Sequence, residues 1–159
     1  MPASSATLAA NAFALDEATH TIRFERDLAC TEQQAFDAWT RAEQIRLWWD
    51  PTGEPLAVCE IDLRVGGGFS FTNRAHPERP FAGVYREIAP PHRLVFEAMG
   101  SVGRVLLEPR GAGTHMTVEI TCTSQAHLQQ FVEMGVATGT AQTLDNLVAR
   151  MNEAGSRGT

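Results

Sequence analysis

The side chains of this chain that could carry out chemistry are scattered, without the spacing of a known catalytic or metal-binding motif. The five histidines lie far apart and none has the i, i+4 partner typical of metal ligands. Cys30, Cys59 and Cys122 are isolated too, so we expect each to be a small core residue. The sequence contains no GxSxG nucleophile motif and no lysine, because all 13 basic residues are arginines. We therefore predict no catalytic residue, no metal site and no cofactor.

Three successive glycines, Gly66, Gly67 and Gly68, are the one feature that suggests a phosphate-binding loop. Such a loop requires GxxxxGK[ST] or GxGxxG together with a following helix. Here the glycines precede Phe69 and Phe71, which alternate with polar residues as in a strand. The pattern favours a bulge or a sharp bend at the start of that strand.

Several aromatic residues and one arginine could bind a ligand. Trp48 and Trp49 adjoin a loop that contains Pro51 and Gly53, and their indoles could stack on a flat ligand or pack into the core. Arg86 could hold a ligand carboxylate if it pointed inward. Its orientation is open, because the alternation in this strand can be assigned to either face.

The element that must position these residues is the only long helical pattern, at 124–153. Its apolar residues recur at steps of three and four, so they share one face that needs a partner surface. The stretch from Gly135 to Thr143 offers Gly, Ala and Thr on that face, whereas the C-terminal half is aliphatic. Small residues opposite a curved sheet leave room for a cavity. Gly135 and Gly139 also weaken a helix, so a break into a short and a longer helix is the other interpretation.

The rest of the chain predicts strands and two short helices. Thr31 and Gln34 form a capping box that begins the first helix, which contains Trp39, and 42–47 forms the second. Alternation of apolar and polar residues then predicts antiparallel strands with one apolar face. The predicted strands are 19–28, 56–62, 69–74, 81–88, 94–99, 102–109 and 114–122.

Composition sets limits on the class of protein. We predict a single domain at 19–153, with a flexible N-terminal arm at 1–18 and a flexible tail at 154–159. A net charge of −6 and scattered arginines exclude a nucleic-acid binder, and no apolar run is long enough to cross a membrane. The odd number of cysteines and the lack of a secretory signal favour a cytoplasmic protein. A homodimer is compatible with the sequence.

Several short motifs, in order along 19–152, resemble one known family. The family is the activator of ninety-kilodalton heat-shock protein ATPase homologue-like branch of the START/polyketide-cyclase (SRPBCC) superfamily. The motifs are Trp48-Trp49-x-Pro51-x-Gly53, Asp62-Leu63-Arg64-Val65-Gly66-Gly67, Phe81-x-Gly83, Pro90-Pro91-His92-Arg93-Leu94-Val95 and Gly113-Thr114.

The resemblance implies an α+β helix-grip (START-like) fold, in which a curved antiparallel sheet wraps around a long C-terminal helix and two short helices follow the first strand. It also implies a cavity between sheet and helix that takes small apolar or amphipathic molecules. This branch often carries a Gly-Trp pair in its last helix, where the present chain has Gly139 and Thr140. Loss of that indole would enlarge this end of the cavity.

Three hypotheses for function follow. The first is non-catalytic binding of a small apolar or amphipathic molecule in the hydrophobic cavity. The second is a cyclase, dehydratase or hydrolase that uses Arg86, Tyr85 or a carboxylate as acid or base. The third is a protein-binding module related to co-chaperone action, with a chaperone as partner and an exposed apolar patch at Trp48 and Trp49. For the first hypothesis we expect the ligand-binding residues to be Trp39, Trp48, Trp49, Phe69, Phe71, Arg86, Phe96, Val105, Leu107, Met116, Gly135, Gly139 and Thr143.

Overall fold

One antiparallel sheet of eight strands forms the frame of the fold in the computed structural model, which describes residues 13–78 and 80–157. The strands are β1 Ala14–Asp16, β2 Thr21–Leu28, β3 Val58–Ile61, β4 Gly68–Thr72, β5 Phe81–Ala89, β6 Arg93–Ala98, β7 Ser101–Arg110 and β8 Gly113–Thr121. Their order across the sheet is β1-β2-β8-β7-β6-β5-β4-β3. The long crossover from β2 to β3 carries the two short helices, and every later strand pairs with the one before it.

The two short helices are α1 Glu32–Thr40 and α2 Ala42–Ile45. The predicted capping box begins α1: the Thr31 hydroxyl accepts from the Gln34 backbone N–H at 3.1 Å, and the Gln34 side chain accepts from the Thr31 N–H at 2.9 Å. These two bonds satisfy donors that would otherwise be orphaned at the helix start. They fix the angle at which α1 carries its buried aromatic residues, Phe36 and Trp39, into the core.

The C-terminal helical region is broken into α3 Gln125–Glu133 and α4 Val136–Arg157. The break falls at Gly135, whose φ of 81° lies in the left-handed region that glycine adopts without a steric penalty. Gly139, in contrast, is inside α4, and its backbone N–H bonds to the Gly135 carbonyl at 2.9 Å. Of the two glycines, only Gly135 therefore interrupts the helix.

The C-terminal half of α4 packs directly on the inner face of β2. Leu144 and Leu147 are fully buried, as are Ile22 and Phe24 on the strand. Each such side chain contributes roughly 1.5–3 kcal/mol when it is fully buried. Arg26 on β2 also pairs with Asp145 on α4 at 2.9 Å, which fixes the register of helix against strand. From Leu147 onward, α4 is therefore packed against the sheet.

The predicted α+β helix-grip fold is confirmed, with differences at the two ends of the chain. Ala14–Asp16 fall within the predicted arm but form β1, because they pair with β2 in register, Leu15 opposite Ile22. Helix α4 continues to Arg157, four residues into the predicted tail. Residues 1–12 of the arm and 158–159 of the tail lie outside the described residues. None of the described helices has the length and apolar character needed to span a membrane.

Candidate ligand-binding cavity

A cavity of about 260 Å³ lies between the first two turns of α4 and the inner face of the sheet. The helices contribute mainly small residues to its wall, and the sheet contributes aromatic and aliphatic ones. The loop that follows α2 closes one side. The lining residues are Trp39, Trp49, Pro51, Asn73, Phe81, Phe96, Ala98, Met99, Ser101, Gly103, Val118, Ile120, Phe131, Gly135, Val136, Gly139, Thr140, Thr143 and Leu144.

The helix side of the cavity is open because of Gly139. A Cβ atom added at Gly139 would meet nothing nearer than Pro51 Cγ, at 4.0 Å. One turn later, the Thr143 hydroxyl lies within hydrogen-bond distance of two backbone carbonyls, those of Gly139 at 2.9 Å and Trp49 at 3.1 Å. The hydroxyl can donate its one proton to only one of these two carbonyls at a time. Thr143 thereby ties α4 to the loop while its small side chain still borders the cavity.

The sheet side of the cavity is shaped by a glycine that the sequence did not single out. Gly103 on β7 lies directly opposite Phe96 on β6. A Cβ at Gly103 would come within 2.5 Å of Phe96 Cζ, so the phenyl ring lies over this glycine. A cross-strand aromatic–glycine contact therefore holds Phe96 flat against the sheet, where its ring borders the cavity.

The two adjacent tryptophans have different environments. Trp48 is fully buried, its ring packs 4.9 Å from that of Trp39, and its indole N–H donates to the Ala38 carbonyl at 3.1 Å. Trp49 is half-buried and lines the cavity. Its ring centroid lies 5.1 Å from that of Phe71 and 5.2 Å from that of Phe81. Trp48 is therefore a core residue, and Trp49 is the one of the two whose indole borders the cavity.

The predicted ligand-binding residues separate into two groups. Those that line the cavity beneath α4 are Trp39, Trp49, Phe96, Gly135, Gly139 and Thr143. Those that do not are Trp48, Phe69, Phe71, Arg86, Val105, Leu107 and Met116.

Most of the second group is enclosed by other elements. Phe69 and Phe71 stack at 5.1 Å and border only a void of about 10 Å³. Leu107 and Met116 are buried where α1 covers β7 and β8, and Val105 is buried on the same face of β7. The correction has a simple reason: these residues face inward as predicted, but they lie farther along the strands than the open half of α4.

Arg86 does not reach the cavity either. Its exposed side chain forms an ion pair with Glu97 on the neighbouring strand. The register between β5 and β6 shifts between Tyr85 and Glu87, which leaves Arg86 as the unpaired residue of a bulge. The bulge removes the simple alternation from which the sequence could have assigned its face.

The lining of the cavity combines apolar side chains with a few neutral polar ones. Its polar side chains, among the described residues, are those of Asn73, Ser101, Thr140 and Thr143 and the two indoles, and none of them titrates near neutral pH. Tyr85 is buried beside the small void, where burial and then the charge of a Cys59 thiolate raise the pKa of its hydroxyl. Within the part of the chain that the structure describes, no cluster of His, Cys, Asp or Glu could hold a metal ion.

A buried carboxylate lies behind one wall of the cavity. Asp50 is 4% exposed and sits between Trp49 and Pro51, both of which line the cavity. Its Oδ1 atom accepts hydrogen bonds from the Thr52 backbone N–H and hydroxyl, both at 2.9 Å. The sequence Asp-Pro-Thr-Gly is typical of a turn capped by a side chain, so the turn could be predicted. The position of its carboxylate relative to the cavity could not.

The loop that carries this carboxylate is tied to α4 by side chains. Asn146 on α4 donates through Nδ2 to the Asp50 carbonyl at 3.1 Å and reaches the Trp48 carbonyl at 3.5 Å. These contacts add to the one made by Thr143. The wall formed by Trp49 and Pro51 is therefore positioned by the same helix whose small residues leave the space.

Comparison with known proteins agrees with this architecture. A family model described as Activator of Hsp90 ATPase homolog 1-like protein matches residues 29–152. Protein Ms6760 from Mycobacterium smegmatis superposes with a TM-score of 0.75 at 21% identity, covering 90% of this chain and 98% of that one. A protein from Arthrobacter aurescens gives 0.76 at 21%, covering 91% and 93%. Protein CV1439 from Chromobacterium violaceum gives 0.67 at 25%, covering 83% and 97%. No curated protein matches the chain.

Proposed function

We propose that this chain, which belongs to the Activator of Hsp90 ATPase homolog 1-like family, binds a small apolar or amphipathic molecule between α4 and the sheet. In this proposal the protein binds and releases the ligand without changing it chemically. One observation carries the proposal: about 260 Å³ of space is bounded by aromatic and small residues where a helix normally packs against its sheet. Space of this kind costs stability, since the atoms around it lack packing partners.

The size and lining of the cavity indicate the dimensions of the ligand. A dry apolar cavity of about 150 Å³ is large enough to hold benzene. A volume of about 260 Å³ therefore suits a molecule of two fused rings or a short branched chain. Rings of Trp49, Phe81, Phe96 and Phe131 provide flat faces on which an aromatic ligand can stack.

The enzymatic alternative has less support. General acid or base catalysis requires a titratable group within hydrogen-bond reach of the reacting atom. Among the described residues, the cavity wall presents hydroxyls, an amide and indoles instead. Of the acid–base candidates, Arg86 pairs with Glu97 on the outer face, and Tyr85 borders a void too small for a substrate.

The chaperone-related alternative relied on an exposed apolar patch at Trp48 and Trp49. Trp48 is fully buried, and Trp49 packs against Phe71 and Phe81, so these indoles do not form such a patch. We also propose a cytoplasmic location, since all three cysteines are free thiols.

The proposal is tested by binding to the purified protein. Mass spectrometry of organic extracts should detect a small apolar compound that co-purifies, and the stripped protein should bind 2-naphthol, a neutral molecule of two fused rings, in calorimetry. At a hundredfold excess over its Kd, a ligand stabilises the folded state by about 2.7 kcal/mol, so the Tm should rise by roughly 5 °C or more. Lack of any co-purifying compound together with an unchanged Tm would refute the binding function.

A further inference from the structure

We infer that Asp50 makes this cavity select against anions, so that among molecules of one size and shape it accepts the neutral compound and rejects the carboxylate. The inference rests on the proposed binding function and specifies the chemical class of its ligand. It assigns a specificity-determining role to a residue that does not itself line the cavity.

The position of Asp50 places a charge directly behind the wall. Its chain neighbours Trp49 and Pro51 both border the cavity. Its carboxylate also accepts a hydrogen bond from the side chain of Asn73, which borders the cavity as well. Through Asn73, the carboxylate is therefore one side chain away from the cavity. Asp50 is only 4% exposed, so its carboxylate makes little direct contact with water.

The carboxylate is ionised at neutral pH. Burial by itself would raise the pKa of Asp50, but hydrogen bonds from the Thr52 N–H, the Asn73 side chain and the Thr52 hydroxyl, with the charge of His76, together hold the pKa below its ordinary value. His76 faces Glu78 at 3.7 Å, and both side chains are 61% exposed. Solvent screens both of these exposed charges, so His76 offsets the negative charge of Asp50 only in part.

No positive group compensates on the cavity side. Among the described residues, no arginine or histidine borders the cavity. The Asn73 amide donates to Asp50, the Ser101 hydroxyl donates to the Ala98 carbonyl at 2.8 Å, and the Thr143 hydroxyl donates to backbone carbonyls. A carboxylate that entered would lose its hydration, and the neutral hydroxyl of Thr140 and indole N–H of Trp49 would replace only part of it.

A neutral ligand avoids both penalties. Its ring system stacks on the aromatic side chains, and a single hydroxyl or carbonyl can use the neutral donors of Thr140 or Trp49. Two like charges separated by one side chain, in a medium of effective dielectric constant about 20, repel strongly enough to change affinity at least tenfold. Tenfold corresponds to about 1.4 kcal/mol.

The test uses calorimetric titration of the full chain with 2-naphthol and 2-naphthoate at neutral pH. The two probes share one ring system but differ in charge. The wild type should bind 2-naphthol at least tenfold more tightly. Asp50→Asn keeps a side-chain oxygen that can accept the hydrogen bonds from Thr52. This variant should reduce the ratio of the affinities for 2-naphthol and 2-naphthoate at least fivefold. The control is Glu54→Gln, which removes the same charge from an exposed side chain four positions after Asp50 and should leave the ratio of the two affinities unchanged.

Each other outcome identifies what is wrong. Equal binding of the two probes by the wild type overturns the inference and leaves the proposed function standing. A preference that survives Asp50→Asn, or that Glu54→Gln also removes, overturns the assignment to Asp50. Failure of both probes to bind any of the three proteins overturns the proposed function as well.

A third probe tests the inference without a substitution at Asp50. The ammonium form of 2-(aminomethyl)naphthalene has a similar ring system and the opposite charge. A buried negative charge favours the ammonium over the carboxylate, so the wild type should bind the amine at least tenfold more tightly than 2-naphthoate. Equal rejection of both ions would mean that desolvation alone excludes charge, and the role of Asp50 would fall.

Discussion

Replacement of Gly139 by tryptophan fills the cavity from the helix side, and the structure gives the scale of the effect. The Cα–Cβ direction at this position is open, with Pro51 Cγ the nearest atom at 4.0 Å, and the side chain would enter about 260 Å³ of space. An aromatic side chain buries about 150–250 Å², which at about 25 cal/mol per Å² contributes up to roughly 4–6 kcal/mol. Imperfect fit offsets about 1–3 kcal/mol of that. We expect Gly139→Trp to be as stable as the wild type or more so.

The same variant should lose ligand binding, because the indole occupies the site. Gly139→Ala is the matched control: its methyl group would lie 4.0 Å from Pro51 Cγ, an ordinary contact without a clash, and it leaves the cavity nearly full size. It should gain about 1 kcal/mol from helix propensity alone, or roughly 2–4 °C in Tm. It should also retain affinity for 2-naphthol. Urea unfolding gives the two free energies of unfolding, and calorimetry gives the affinities.

The combination of results decides between space and packing. A Gly139→Trp variant that loses more than about 2 kcal/mol would show that the site is already packed, since overpacking costs about that much. A stable variant that binds 2-naphthol as the wild type does would show that the ligand lies elsewhere. Either result would refute the reasoning that links the small residues of α4 to binding.

Three further predictions concern stability. Gly135→Ala should destabilise by about 1–2 kcal/mol in urea unfolding, because φ is 81° there, and a gain like that expected for Gly139→Ala would contradict the helix break. Asp145→Asn should lower the free energy of unfolding by about 2 kcal/mol, because the guanidinium of Arg26 would lose its charged partner and the two side chains are only 11% and 21% exposed. A loss below about 0.5 kcal/mol would show that this ion pair contributes little to stability. The lowered pKa of Asp50 stabilises the fold above the ordinary aspartate pKa of about 3.9, and this contribution is lost as pH falls through the lower folded-state pKa. We therefore expect the wild type to lose stability relative to Asp50→Asn as the pH falls from about 6 to about 2, measured from unfolding curves. A difference in the free energy of unfolding that stays constant over this range would contradict the prediction.

Most of the fold was predictable because its signals are local. Alternation located β2 to β8 but not the short β1, the capping box of Thr31 and Gln34 located α1, and the steps of three and four located the C-terminal helical region. The small residues between Gly135 and Thr143 are also a local signal. They indicated which part of the helix would leave room, and the cavity lies there.

Several details of the site could not be predicted, because they depend on three-dimensional positions that sequence periodicity does not give. Periodicity gives the face of a strand but not the distance along it, so Val105, Leu107 and Met116 were expected at the cavity although they lie in the core away from it. Arg86 was ambiguous because a bulge interrupts its strand. Asp50 was missed because a turn sequence does not say which wall its carboxylate lies behind.

The location of the bound molecule tests the central claim most directly. Nuclear magnetic resonance of the protein with 2-naphthol can detect close approach of naphthyl protons to individual methyl groups. We predict intermolecular contacts to Val118 on the sheet and Val136 on α4, which border the cavity, and none to Leu147, which is packed against β2. Contacts confined to exposed residues such as Val65 and Met134, or the lack of contacts to both cavity valines, would contradict the account.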